Sequence, residues 1–120
     1  MKELTYIEKI AVLRVLYDII LADKRIDKRE DILFGEIASE LEMDSNVKEE
    51  VIKANSLLAL IYIQDFTQIQ KETFAQMMGK MIIIDGDINY NEVKVYNVVC
   101  DSCNIDITFE MNDYPELSRS

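Results

Sequence analysis

The sequence predicts an all-α bundle of about five to six helices, with an internal pseudo-two-fold repeat and an extended C-terminal tail. Three observations predict it. Slid against itself by 62 positions, the chain aligns Thr5–Ser45 with Thr67–Ile107 without a gap. The identities are Thr5/Thr67, Ile7/Ile69, Lys9/Lys71, Ile20/Ile82, Asp23/Asp85, Ile26/Ile88, Glu30/Glu92 and Asp44/Asp106. Apolar residues recur at helical spacing through both copies. The same start signals punctuate each copy, which is where a duplicated helical unit would hold its identity longest.

Each copy opens with a capping box, Thr5-x-x-Glu8 and Thr67-x-x-Gln70. A long helix follows, over about Tyr6–Ala22 and Gln68–Ile84. The first is apolar nearly all round, apart from Glu8, Lys9, Arg14 and Asp18, which places it at the centre. Phe74, Met77, Met78, Met81 and Ile82 form one stripe on the second. Tyr17 aligns with Gly79, an expected crossing point where the ring lies over bare backbone. Two turn-rich segments come next, Asp23-Lys24-Arg25-Ile26-Asp27 and Asp85-Gly86-Asp87-Ile88-Asn89.

Asp27 and Asn89 are the expected N-caps of the following helices, with Glu30 and Glu92 at N3 completing the box. Their core faces match, Leu33, Phe34, Ile37, Ala38 and Leu41 against Val95, Tyr96, Val99, Cys100 and Cys103. Between the copies, Val47–Asn55, started from Asn46, and Ser56–Gln64 read as two shorter helices. Ile105, Ile107, Phe109 and Met111 then alternate with polar residues. This predicts an extended tail laid over the bundle or, alternatively, an edge that pairs with another chain. The expected organisation is a single helical domain over 1–112, with copies at about 5–45 and 67–107 and linker helices at 46–64. Residues 113–120 are the expected loose C-terminal tail.

Composition narrows the function. At 120 residues, 49% hydrophobic and 30% charged, the chain can bury a sizeable core. Lys and Arg number 13 against 23 Asp and Glu, and the net charge of -10 repels phosphate backbones and anionic lipid. Nucleic-acid binding is therefore not expected. The longest apolar run, Leu57–Ile63, falls far short of the roughly 20 residues of a membrane span, so membrane insertion is not expected either. The Met1-Lys2-Glu3 start lacks signal-peptide character, and a cytoplasmic location is the expectation. With no His, the chain lacks the commonest general base and zinc ligand.

The turns share the pattern Asp-x-x-Ile-Asp/Asn-x-x-Glu, in Asp23, Ile26, Asp27 and Glu30 and again in Asp85, Ile88, Asn89 and Glu92. Over residues 5–107 this resembles the tellurite-resistance TerB-like helical domain family, whose hallmark is a helix ending in Ala-Asp-Gly followed by x-Ile-Asp-x-x-Glu. The resemblance implies an all-α domain with internal symmetry, associated with stress and metal resistance. It also implies divalent-cation ligands, Ca²⁺ or Mg²⁺, at Asp23, Asp27 and Glu30 and at Asp85, Asp87, Asn89 and Glu92. Lys24 stands where the motif has Gly, and Asn89 where it has Asp.

Hard cations want several oxygens converging from a tight loop, and the second turn offers three carboxylates and two Asn amides. It is not an EF-hand. Counted from Asp85, Tyr96 stands where the bidentate Glu would be. The competing account needs no ligand, because Asp27 and Asn89 cap, Ile26 and Ile88 anchor, and Gly86 supplies a positive φ. Cys100-Asp101-Ser102-Cys103 falls near a helix end on the core face, which marks two buried hydrophobes rather than a redox pair.

No nucleophile–base pair or phosphate loop is present, so the expected protein is not an enzyme. The expected function is a non-catalytic interaction or sensing module with a protein partner or a homo-oligomer, and a weak cation site at the acidic turns. A metal-dependent enzyme using Asp85, Asp87 and Glu92, or a thiol redox protein, are the alternatives.

Overall fold

The computed structural model describes residues 4–22, 27–44, 46–84 and 86–109. They form six helices: α1 Tyr6–Leu21, α2 Lys28–Glu40, α3 Val47–Lys53, α4 Ser56–Gln64, α5 Gln68–Ile83 and α6 Tyr90–Cys103. No strand occurs among the described residues. Residues 110–120, on which the expected C-terminal tail and Met111 fall, lie outside them.

The capping boxes that open α1 and α5 both close. The Thr5 hydroxyl accepts the Glu8 amide at 3.2 Å while the Glu8 carboxylate accepts the Thr5 amide at 2.8 Å. Thr67 and Gln70 repeat this at 3.2 and 2.9 Å. α1 buries Ala11, Val12, Leu13, Val15, Leu16, Ile19 and Ile20 and touches each of the other five described helices. Its nearly all-round apolar surface is what a central helix requires. Opposite stand Phe74, Met78, Met81 and Ile82 of α5, all wholly buried, whereas Met77 is only half-buried.

α2 and α6 end alike. Glu42 and Asn104 both adopt the left-handed region, at φ 61° and 57°. The next amide reaches back five residues, Met43 to the Ala38 carbonyl at 3.0 Å and Ile105 to the Cys100 carbonyl at 2.9 Å. This is a Schellman closure, which satisfies carbonyls that the helix end would otherwise orphan. Asn suits that backbone; Glu42 adopts it at a cost of about 1–2 kcal/mol.

Three expectations are corrected. α3 ends at Lys53 rather than Asn55. Asn55 instead caps α4, accepting the Leu58 amide at 2.9 Å, because its extended backbone brings the side-chain oxygen to an amide that no helical carbonyl can serve. Asn46 precedes α3 but makes no cap hydrogen bond, since its own backbone is already helical. Tyr17 does not lie over Gly79. Its ring packs edge-on against Phe34 at 6.2 Å with the Arg14 guanidinium above it, and a Cβ built on Gly79 would meet nothing within 4 Å.

Arg14 joins three elements. Its Nη1 donates to the carbonyls of Val51 at 3.2 Å and Ile52 at 2.8 Å, in the last turn of α3. Its Nε donates to Ser56 Oγ at 3.0 Å, and Ser56 donates on to Asp18 at 2.7 Å. Arg14 also pairs with Asp18 at 3.0 Å. A cation at a helix C-terminus satisfies orphan carbonyls and the helix dipole together. The network thereby fixes where α3 stops and α4 begins.

Residues 105–109 belong to no helix or strand, and Ile105 is buried while Asp106 and Thr108 are exposed. Phe109 packs edge-on against Tyr96 of α6 at 5.6 Å, so the alternation serves to lay this segment along the bundle.

Candidate functional site

The acidic turns lie where α1 hands over to α2 and α5 to α6. Of the seven residues expected to ligate a cation, Asp23 and Asp85 lie outside the described residues, as do Lys24, Arg25 and Ile26. Asp27 and Asn89 cap their helices as expected. Asp27 Oδ1 accepts the Arg29 amide at 2.8 Å, and Asn89 Oδ1 accepts the Asn91 amide at 2.8 Å. That amide bond from Arg29 is the main reason the Asp27 carboxyl is held below its ordinary range, with the Arg29 guanidinium at 3.4 Å adding to it.

Glu30 and Glu92 stand on the core side of their helices. Both are 0% exposed, the two buried charged residues among those described, whereas Glu8 in its closed box is only partly buried. The reason is register. Glu30 lies three, four and seven residues before Leu33, Phe34 and Ile37, on the core stripe of α2, and Glu92 precedes Tyr96 and Val99 in the same way. That register, legible in the sequence, is the signal that places them inside.

The second turn is built on Gly86, at φ 81°, whose amide donates to the Ile83 carbonyl at 3.0 Å. Asp87 Oδ1 accepts the Ile88 amide at 2.9 Å, and Ile88 is buried as the anchor. The first turn of α2 neighbours the second acidic turn: Arg29 Nη1 stands 3.9 Å from where a Cβ on Gly86 would begin. What α2 projects towards the second turn at this point is thus a guanidinium.

Tested for a hard cation, the described donors alone fall short. Asp27, Asp87 and Asn89 each use an oxygen on a backbone amide, and Glu30 and Glu92 face the core. Among the described residues no group of three or more Cys, Asp or Glu side chains is placed to hold a metal ion. A site at either turn requires Asp23 or Asp85.

Cys100 and Cys103 carry free thiols, both buried. Burial pushes each thiol up to about 11, Cys100 with help from the neighbouring Cys103 and Asp101. Such thiols hold little nucleophilic thiolate at neutral pH.

Among the described residues, two further clefts and a groove are unanticipated in the sequence because their walls are distant along the chain. A cleft of about 410 Å³ opens between α2 and α3, spanned by the Lys48–Asp31 ion pair at 2.6 Å. Beside it, one of about 310 Å³ includes Tyr6, whose hydroxyl donates to Glu50. An apolar groove of about 240 Å³ runs between α1 and α4, lined by Ile7, Ile10, Leu58 and Tyr62. No described helix is long and apolar enough to cross a membrane.

The fold is similar to the crystal structure of a protein of unknown function, PG1108, from Porphyromonas gingivalis W83. The two share 18% identity and a TM-score of 0.65, over 91% of this chain and 93% of that one. At that identity the likeness speaks for the fold alone. No protein-family model matches the sequence, and no curated protein matches it.

Proposed function

We propose that the chain is a non-catalytic helical module of the TerB-like type, a duplicated helix–turn–helix unit serving as an interaction or sensing domain with a weak divalent-cation site at its acidic turns. The observation that carries this reading is the common fate of Glu30 and Glu92, wholly buried at matching positions after the two turns. Burying a carboxylate costs several kcal/mol, on the order of what a small domain has to spare. A bundle that bears this cost twice at one register uses the same device twice. The shared caps, the left-handed closures at 42 and 104, and the two capping boxes support the duplication.

Binding rather than chemistry is supported by the raised thiols and by the absence of His from the sequence. Ca²⁺ or Mg²⁺ is the ligand this reading assigns to the 85–92 turn, with Asp85 and Asp87 as the carboxylates. Arg29 beside Gly86 makes such binding weak, because an arriving cation meets a resident positive charge. Amide NMR titration with Ca²⁺, Mg²⁺ and Mn²⁺ tests it. Saturable shifts confined to 85–92 and, more weakly, 23–30 are expected; spectra unchanged at millimolar metal would leave the turns as caps alone.

A further inference from the structure

α4 carries no charged residue, alone among the six described helices. A helix apolar on all sides is normally covered on all sides. Here one side packs on α1 and α6, while Leu57, Leu58 and Ile61 remain 73%, 49% and 57% exposed. Ile7 of α1, also about half exposed, continues the surface across the apolar groove.

We propose that this face seats a second copy of the chain, as a two-fold symmetric dimer with α4 against the α4 of its partner. The shape is self-complementary. Leu57 and Ile61, one helical turn apart, form a ridge, and the groove between Ile7, Leu58 and Tyr62 runs beside it. A two-fold axis places each ridge in the other copy's groove, so one surface supplies both halves of the contact. The area also suits this occupant. The exposed parts of Ile7, Leu57, Leu58 and Ile61 amount to on the order of 400 Å² of apolar surface. A standard interface takes about 800 Å² from each partner, a little over half of it apolar, so this patch supplies the apolar share of one such interface.

Charge decides where a chain of net charge -10 can meet its own copy. An uncharged helix brings no like charges into direct contact, and the remaining repulsion acts over distances that salt screens within about 8 Å at physiological strength. The Arg14–Ser56 bond holds the first turn of α4 in place, so the ridge is ordered before contact. The proposal rests on reading the chain as an interaction module and not on the acidic turns.

Sedimentation equilibrium of the full chain over a concentration series, at low and at raised salt, tests it. The expected result is a mass of twice 14.0 kDa that strengthens as salt is added. Leu57→Glu with Ile61→Glu should weaken the dimer at least ~30-fold, the scale of losing interface hot spots. Ile69→Glu and Val98→Glu, at equally exposed apolar positions elsewhere, should leave it unchanged. Wild-type amide shifts that move with protein concentration should fall in 7–10 and 56–64. A monomer at every concentration, or a dimer that survives the double substitution, overturns the proposal. A monomer that still shows saturable cation shifts at 85–92 would sink the dimer and leave the module reading standing.

Discussion

Arg29 of α2 reaches the opposite turn, its Nη1 standing 3.9 Å from the position of a Cβ on Gly86. The start of α2 thus presents to the second turn a cation that also touches its own cap, Asp27, at 3.4 Å. At this point α2 meets the second turn through a positive group. Arg29→Gln should cost under about 1 kcal/mol of stability, since the side chain is mostly exposed. It should also tighten any divalent binding in the NMR titration.

The three glycines separate by backbone geometry. Gly86→Ala should destabilise by about 1–2 kcal/mol, because φ 81° strains any L side chain although the new Cβ meets only Arg29. Gly35→Ala and Gly79→Ala lie in helices where a Cβ meets nothing within 4 Å. Each should stabilise by about 0.5–1 kcal/mol through helix propensity, read by urea denaturation.

Glu30→Ala and Glu92→Ala should each cost about 2–4 kcal/mol, since truncation breaks buried polar interactions and leaves a cavity. Glu36→Ala, on the exposed face of α2, should change stability by no more than about 0.5 kcal/mol. Equal effects at all three positions would contradict the burial of the pair.

Arg14→Ala should cost about 2–3 kcal/mol by removing charge-assisted bonds to two carbonyls and Ser56. Hydrogen exchange should rise first at residues 51–58. Lys at this position should not rescue the loss, because an ammonium cannot reproduce the guanidinium fork.

The thiols make a pH prediction with a definite sign. Each is raised from the ordinary 9.0 to about 11, so between these values the unfolded chain has released protons that the folded chain retains. Stability therefore falls as pH rises through that window and is unaffected by these groups below it. Cys100→Ala with Cys103→Ala should flatten the alkaline loss relative to its own stability at neutral pH. Thiol labelling of the native protein should be slow for both.

How far the sequence could be read depended on the range of the interaction. Thr5, Thr67, Asp27 and Asn89 act on amides two or three residues away, so their caps were legible from spacing. The ends of α1 and α5, expected at Ala22 and Ile84, fall one residue earlier, where those residues are the C-caps. Asn55 was assigned to the wrong helix because a cap can close one helix or open the next, and only the backbone decides. The Arg14 network links residues 37 to 42 positions apart, and no local pattern announces it. The expected Tyr17–Gly79 contact failed because aligned positions in two copies share an environment without having to touch. Glu30 and Glu92 were legible as N3 residues from their spacing to Asp27 and Asn89, and their register on the core stripe is the further signal that accounts for their burial.

The duplication is tested most directly by a crystal structure in which residues 5–44 are superposed on 67–106. The account predicts that 23–30 and 85–92 trace the same path, with Glu30 over Glu92 and the left-handed residues Glu42 and Asn104 coincident. Unrelated paths through the two turns would contradict it.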